Sequence, residues 1–186
     1  MTYAARLLWA AACSDIDQAQ ALAQQMQGTM YADHREDTSA LPFAALVTGV
    51  TDDPELLEAQ ADTGLYVICE RTIKPGRAQV FGLFPMVANP TLTHVQADAH
   101  WRDTHAPLAL HHHAYMTEYL QLSVVRTVSG QAYDGFALCG FDNVEDLRER
   151  FFSEPDSRSV IAEDVASFAD PGQTPRRLVA TPHYFQ

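Results

Sequence analysis

The spacing of apolar and polar positions along the chain changes repeatedly between the period of a strand and the period of a helix. Short Val- and Phe-rich runs and alternating segments predict strands, whereas apolar residues three and four apart predict helices. The predicted strands cover residues 5–11, 29–35, 42–50, 65–73, 77–87, 119–128, 132–141 and 177–185. The predicted helices cover residues 15–27, 51–61, 93–110, 143–152 and 159–168.

These elements occur in the order strand, helix, strand, strand, helix, strand, and that order is written twice. The unit βαββαβ is typical of ferredoxin-like domains, in which helices cover one face of a sheet and the other face needs a partner. We therefore predict an α+β fold made of two tandem ferredoxin-like halves, residues 1–74 and 75–186, joined at Lys74-Pro75-Gly76. Their sheets would face each other in a pseudo-dimer. The alternative is one irregular α+β domain without internal symmetry.

Composition narrows the classes of partner. The chain has 186 residues, is 47% hydrophobic and carries a formal charge of −12, with one lysine against eleven arginines. This charge disfavours nucleic acid and anionic membranes as partners and leaves a small molecule. No apolar run approaches the roughly 18 residues of a membrane span. Residues 1–13 have a short apolar core, but Arg6 and the acidic segment that follows favour a first strand.

The three cysteines, Cys13, Cys69 and Cys139, are far apart and form no CxxC pair. Reduced thiols in a cytoplasmic protein are the simplest interpretation.

Five of the eight histidines lie between residues 100 and 113. Because the imidazole charge changes close to neutral pH, this cluster is the first candidate for proton transfer. We predict that His105, near the end of its helix and just before Pro107, is a general acid or base, favoured as a cation by the helix C-terminus. The alternative is that its N–H only fixes the turn. His100, five residues earlier, would point about 140° away in an α-helix and face solvent.

The run His111-His112-His113 follows directly. In an extended segment alternate residues share a face, so His111 and His113 are predicted to point together into a substrate pocket and act in catalysis. With Glu118 they would offer a metal-ligand set, but no established ligand spacing accompanies them. We therefore expect no metal, and a merely polar loop is the remaining alternative.

Aromatic residues complete the candidate pocket. Tyr119 is predicted to hold a carbonyl oxygen in catalysis, and Trp101, four residues before His105, to shield that imidazole. The other candidates for substrate binding are Tyr115, Tyr133 and His183. For Trp101 and for each of the three tyrosines, the alternative is that the side chain only packs in the core. The chain has no phosphate-binding glycine loop, no dinucleotide fingerprint and no CxxCH, so we expect no cofactor.

Three segments of the second half resemble the EthD family of the dimeric α+β barrel superfamily. They are His100-Trp101-Arg102-Asp103-Thr104-His105-Ala106-Pro107-Leu108, similar to W-R-x-x-H-A-P-L; Tyr133-Asp134-Gly135-Phe136 with the helix after it; and Asp164 through Phe168 to Asp170. The resemblance implies a dimeric α+β barrel, with residues 1–74 as a degenerate fused partner of the same fold. It does not fix a reaction, because related proteins include cyclases, dehydratases, decarboxylases and oxygenases.

Our first functional hypothesis is a cofactor-independent lyase- or isomerase-type enzyme that dehydrates, decarboxylates or cyclises a small apolar carbonyl or phenolic compound. His105 would move the proton, and a tyrosine with one histidine of the run would hold the oxygen. The alternatives are a cofactor-free oxygenase and a non-catalytic small-molecule binding protein. A homodimer is left open.

Overall fold

The computed structural model describes residues 3–185, except for the side chains of residues 54, 56 and 59. The strands are β1 (Ala4–Cys13), β2 (Thr29–Asp33), β3 (Ala45–Gly49), β4 (Gly64–Lys74), β5 (Val80–Met86), β6 (Glu118–Gly130), β7 (Gly135–Phe141) and β8 (Leu178–Tyr184). The helices are α1 (Ile16–Gln25), α2 (Pro54–Gln60), α3 (His94–His100), α4 (Ala106–His112), α5 (Val144–Glu149) and α6 (Ser157–Phe168). A π-helical turn, Trp101–His105, joins α3 to α4.

The eight strands form one closed barrel in the order β1-β3-β2-β8-β5-β7-β6-β4, and each neighbouring pair is antiparallel. A closed barrel leaves no unpaired strand edge among these elements. The four strands of the first half are neighbours in the ring, as are the four strands of the second half. The joints between the two sets are β2 with β8 and β4 with β6.

Side chains fill the interior of the barrel. Alternate positions of each strand point inward, and the apolar ones form a continuous core that includes Tyr31, Phe81 and Phe136. Tyr133, predicted to bind substrate, packs in this core with its ring 5.4 Å from Phe136 and 6.2 Å from Tyr66. The barrel interior is therefore a packed core, and the space for a ligand lies outside it.

The helices lie outside the barrel, and their ends follow local capping chemistry. Helix α1 begins after Asp15, whose carboxylate accepts the Gln18 N–H at 2.8 Å, and its buried face packs on β1 and β3. Helix α3 begins at a capping box formed by Thr93 and Gln96. None of the helices in residues 3–185 is long and apolar enough to cross a membrane.

The continuous helix predicted over 93–110 is interrupted. The Ala106 N–H donates to the Trp101 carbonyl, five residues back, and so widens one turn. Pro107 lacks an N–H and is tolerated here because it falls in the first turn of α4. The helix continues to His112, so the predicted position of His105 at a helix C-terminus, and the dipole argument built on it, are wrong.

Candidate functional site

A cavity of about 370 Å³ lies between the outer face of the barrel and the helices of the second half. Its floor comes from β5, β6 and β7, and its walls come from the π turn, α4, α6 and the segments that flank α6. Most of the lining is apolar or aromatic, as in Phe84, Phe151 and Phe168. This size and character are typical of small-molecule sites, which measure about 300–1,000 Å³.

His105 lines this cavity and is held by a carboxylate. Its Nδ1 lies 2.7 Å from Oδ2 of Asp164 on α6, and both side chains are largely buried. Burial raises the pKa of Asp164, but hydrogen bonds from His105 and His100 outweigh it and leave that pKa below its ordinary value. Asp164 is therefore ionised at neutral pH, which places the Nδ1 proton on His105. The other ring nitrogen, Nε2, has no hydrogen-bond partner among the described residues.

The π turn decides which histidines come together. His100 Nε2 lies 2.8 Å from the second oxygen of Asp164, so both imidazoles bind one carboxylate. The Phe168 ring packs against both, with centroids 5.2 Å from His100 and 5.1 Å from His105. The expected 140° separation of the two histidines is wrong, because it assumed a regular α-helix across Trp101–His105.

His113 forms part of the cavity wall, and its imidazole is neutral. Its Nδ1 donates to the Phe151 carbonyl at 2.6 Å, and the rings of Phe151 and Phe152 lie 4.4 and 5.3 Å away. Burial lowers the pKa of His113 to about 4. Because Nδ1 carries the proton, Nε2 is left as a hydrogen-bond acceptor.

Tyr119 forms a polar point on the floor of the cavity. Its hydroxyl oxygen accepts the Trp101 Nε1–H and a Gln121 Nε2–H, each at 3.2 Å. Burial raises the pKa of Tyr119 well above its ordinary value, so the hydroxyl stays neutral. With its oxygen occupied by two donors, the hydroxyl proton is free to bind a ligand oxygen. Gln121 also donates to the Trp101 carbonyl at 2.9 Å and so supports the π turn.

Two of the three motifs noted in the sequence line this cavity, and the third packs behind it through Gly135. Trp101 packs directly over Gly135, where an added Cβ would lie 2.5 Å from the indole ring. Asp134, next to it, accepts the Ala88 N–H and binds His94 Nδ1 at 2.8 Å. The close backbone approach explains the glycine, and the aspartate ties α3 to the barrel.

Four predicted site residues lie away from the cavity. Tyr133 is in the barrel core, as described. His111 is exposed in the last turn of α4, because the segment is helical and not extended as predicted. Tyr115 is 43% exposed and stacks under the Arg150 guanidinium at 3.5 Å, and His183 is exposed on β8. The candidate site keeps His105, His113, Tyr119 and Trp101.

The histidine run does not assemble ligands for a metal ion. No group of three or more His, Cys, Asp or Glu side chains in residues 3–185 is placed to hold one. His112 binds Ser157 Oγ at 2.9 Å, and Glu118 accepts the Ala78 N–H at 3.0 Å. Cys139 lies in the cavity wall, where burial raises its pKa to about 12 and keeps the thiol protonated.

Two residues that the sequence reasoning did not assign to the site are central to it. Asp164 belonged to a motif, but only the fold brings it to His105, 59 residues earlier. Gln121 gave no signal beyond its place on a strand. Its side chain is fully buried and its Oε1 has no partner among the described residues.

Comparison with known proteins finds a domain family in the second half of the chain and solved structures with the same fold. Residues 89–172 match the EthD domain family model, whereas the expectation of a degenerate fused partner in residues 1–74 is not confirmed. Comparison with curated proteins finds no match.

Three solved structures share the fold. An anthrone oxidase-like protein has a TM-score of 0.53 at 9% identity, over 97% of this chain and 92% of that one. A candidate monooxygenase from Lactobacillus acidophilus has a TM-score of 0.50 at 9% identity, over 98% and 94%. A candidate monooxygenase from Fusobacterium nucleatum subsp. nucleatum has a TM-score of 0.53 at 7% identity, over 100% and 94%.

These descriptions correct the functional expectation. The neighbours are described as oxidase-like or as monooxygenases, which contradicts the lyase or isomerase reaction expected from the sequence. At such low identity the likeness itself establishes a shared mixed α/β barrel fold.

Proposed function

We propose that this protein is an oxygenase that acts on a flat aromatic ketone of the anthrone type, a small compound with an acidic benzylic CH₂ group, without a bound cofactor. The observation that carries the proposal is the buried His105–Asp164 pair, whose free Nε2 belongs to an otherwise apolar cavity. A base in apolar surroundings suits a flat aromatic substrate whose reactive form is an anion.

Each polar group of the cavity has a separate role in the proposed reaction. Nε2 of His105 takes the proton, and ionised Asp164 stabilises the imidazolium that results. The Tyr119 hydroxyl donates to the ketone oxygen, where negative charge accumulates as the substrate anion forms. Nε2 of His113 accepts a hydrogen bond from a ring hydroxyl in those substrates that carry one, and so fixes their orientation.

The substrate anion then supplies the electrons. Dioxygen is the oxidant, and the balanced reaction converts one CH₂ group and one O₂ into one C=O group and one H₂O. The two substrate hydrogens leave as water, and the substrate carbon gains one oxygen atom. The apolar walls exclude bulk water from the anion while it reacts.

The finer description of the fold is part of this proposal. We interpret the barrel as two ferredoxin-like halves, 1–74 and 75–186, fused into a pseudo-dimer. The strand order supports this. In one direction around the ring the first half reads β4-β1-β3-β2 and the second half reads β8-β5-β7-β6, so both halves have the order fourth, first, third and second strand. A cytoplasmic location and a homodimer stay predictions.

Oxygen uptake tests the function. Purified protein is mixed with anthrone, with a simple phenol or with a non-enolisable aromatic ketone, and oxygen, carbonyl product and peroxide are followed. We expect uptake only with anthrone, at one O₂ per product, unchanged by catalase and by a chelator. Binding of anthrone without uptake would overturn the proposal in favour of a binding protein. Uptake that needs added flavin or metal would overturn its cofactor-free part.

A further inference from the structure

A second hollow, of about 240 Å³, lies outside the apolar cavity and is almost entirely cationic. It is lined by His34, Arg35, Arg148, Arg176, Arg177 and Val179. These residues come from the end of β2, from α5 and from the start of β8, so the fold brings together distant parts of the chain. Four of the eleven arginines converge here in a chain whose formal charge is −12.

Among residues 3–185, a carboxylate neutralises only one of these arginines. Arg35 binds Asp33 through two contacts of 2.7 and 2.6 Å, and Asp33 also accepts the Val179 N–H. Arg148, Arg176 and Arg177 form no salt bridge with a carboxylate in residues 3–185. The hollow therefore holds three positive charges that no carboxylate of the described part of the chain neutralises.

Arg177 is the most buried of these three arginines. The Arg177 guanidinium packs over the rings of Phe84 and Phe151, 5.6 Å from each centroid. Burial lowers the pKa of Arg177, and the positive charges of Arg148, Arg35 and Arg158 lower it further. Holding these like charges together costs free energy, and a bound anion would offset that cost.

His34 completes the wall of the hollow. Its Nδ1 donates to the Val179 carbonyl at 2.9 Å, and its Nε2 accepts from Arg148 Nη2 at 3.4 Å. This contact fixes one guanidinium at the edge of the hollow. A planar guanidinium group can donate two parallel hydrogen bonds to two oxygens of a phosphate group. Several guanidinium groups around one hollow therefore suit a phosphate.

We propose that this hollow binds a small oxyanion of at least two negative charges, of the phosphate or pyrophosphate type. A concave site inside a strongly acidic chain favours a small anion over a nucleic-acid strand or a membrane surface, which need an extended basic face. Phe84 and Phe151 also line the apolar cavity, so the bound anion lies one aromatic layer from the proposed substrate site.

Calorimetric titration with inorganic pyrophosphate, inorganic phosphate and chloride, at constant ionic strength, tests this inference. We expect one pyrophosphate per chain, weaker binding of phosphate and none of chloride. The double variant Arg148→Gln/Arg176→Gln should bind pyrophosphate at least about tenfold more weakly. Neither side chain lines the apolar cavity, so oxygen uptake in the absence of pyrophosphate should be unchanged.

The matched control is Arg77→Gln/Arg126→Gln, which removes the same charge from exposed positions outside the hollow. It should bind pyrophosphate like the unmodified protein. An equal loss in both double variants would show that only net charge matters and would overturn the site. So would the absence of binding to the unmodified protein at millimolar pyrophosphate, or undiminished binding to Arg148→Gln/Arg176→Gln.

Discussion

Asp164 binds His105 across the contact between α6 and the π turn, with 2.7 Å between Oδ2 and Nδ1. The carboxylate fixes the tautomer of the imidazole, because a proton on Nδ1 makes the hydrogen bond to Oδ2 and leaves Nε2 as the nitrogen without a partner among the described residues. The other oxygen of the same carboxylate forms a hydrogen bond with His100. One acidic residue thus orients the group proposed to move the proton.

Replacement of His105 by Ala should abolish most of the activity. Removing a general acid–base group typically costs about 10²–10⁴ in rate, so oxygen uptake with anthrone should fall by at least about 10²-fold. The barrel should persist, because His105 lies outside its core, and far-ultraviolet circular dichroism checks this. Unfolding of the variant with unchanged uptake per folded molecule would show that His105 is a structural residue.

Replacement of Asp164 by Asn should lower kcat more than it raises KM. An amide loses the charge that stabilises the imidazolium, and we expect a fall of about 10–10³-fold. His100→Ala removes a second donor to the same carboxylate but leaves the His105 contact, so its effect should be smaller. If His100→Ala proves as harmful as Asp164→Asn, the carboxylate does not act through His105.

The sequence predicted the elements well because their signals are local. All eight strands appear close to their expected positions, as do the helices apart from the interrupted one predicted over 93–110, and Asp15 caps α1 at its first turn. The arrangement of strands into a closed ring depends on long-range pairing, such as β2 with β8, that no local pattern reports.

The candidate site could be predicted only in part, because only some of its residues are close together in the sequence. His105, Trp101 and Tyr119 were found because histidines and aromatics cluster in the sequence. Their partner Asp164 is distant in sequence, and the π turn depends on contacts such as the Gln121 bond to the Trp101 carbonyl. Periodicity arguments assume a regular helix and therefore misplaced His100.

Helix α6 offers a direct test of the cavity. Ala162 lines it, whereas Ala166, one turn later on the same helix, is exposed and outside it. Ala162→Trp should fill the mouth and raise KM for anthrone at least about tenfold, since even one methylene in a pocket is worth about 1–3 kcal/mol. Ala166→Trp should leave KM unchanged. Equal KM values for the two variants would place the substrate elsewhere.

Gly135 should tolerate no larger side chain. An added Cβ would lie 2.5 Å from a ring carbon of Trp101, which is 1% exposed and hydrogen-bonded to Tyr119, and 3.0 Å from the backbone carbonyl oxygen of Leu122. Overpacking of this kind costs about 1–3 kcal/mol, so Gly135→Ala should lower the midpoint of urea unfolding. The near-ultraviolet circular dichroism of Trp101 should change as well. Gly172→Ala is the control, because its added Cβ meets only the Asp170 carboxylate at 3.2 Å.

The buried neutral His113 predicts how stability depends on pH. Its pKa is about 4 in the folded protein, against an unfolded value near 6.5. Between those values the unfolded chain binds a proton that the folded chain does not, so the free energy of unfolding should fall as pH decreases from 6.5 to 4. The loss from this residue is about 3 kcal/mol.

His113→Gln keeps a donor for the Phe151 carbonyl but does not titrate, so its stability should fall less steeply across this window. Exposed His111→Gln, two residues earlier, should keep the full dependence. Urea unfolding of the three proteins at pH 7, 6, 5 and 4.5 measures the difference, and parallel curves for His113→Gln and the unmodified protein would contradict the assignment of a buried neutral imidazole.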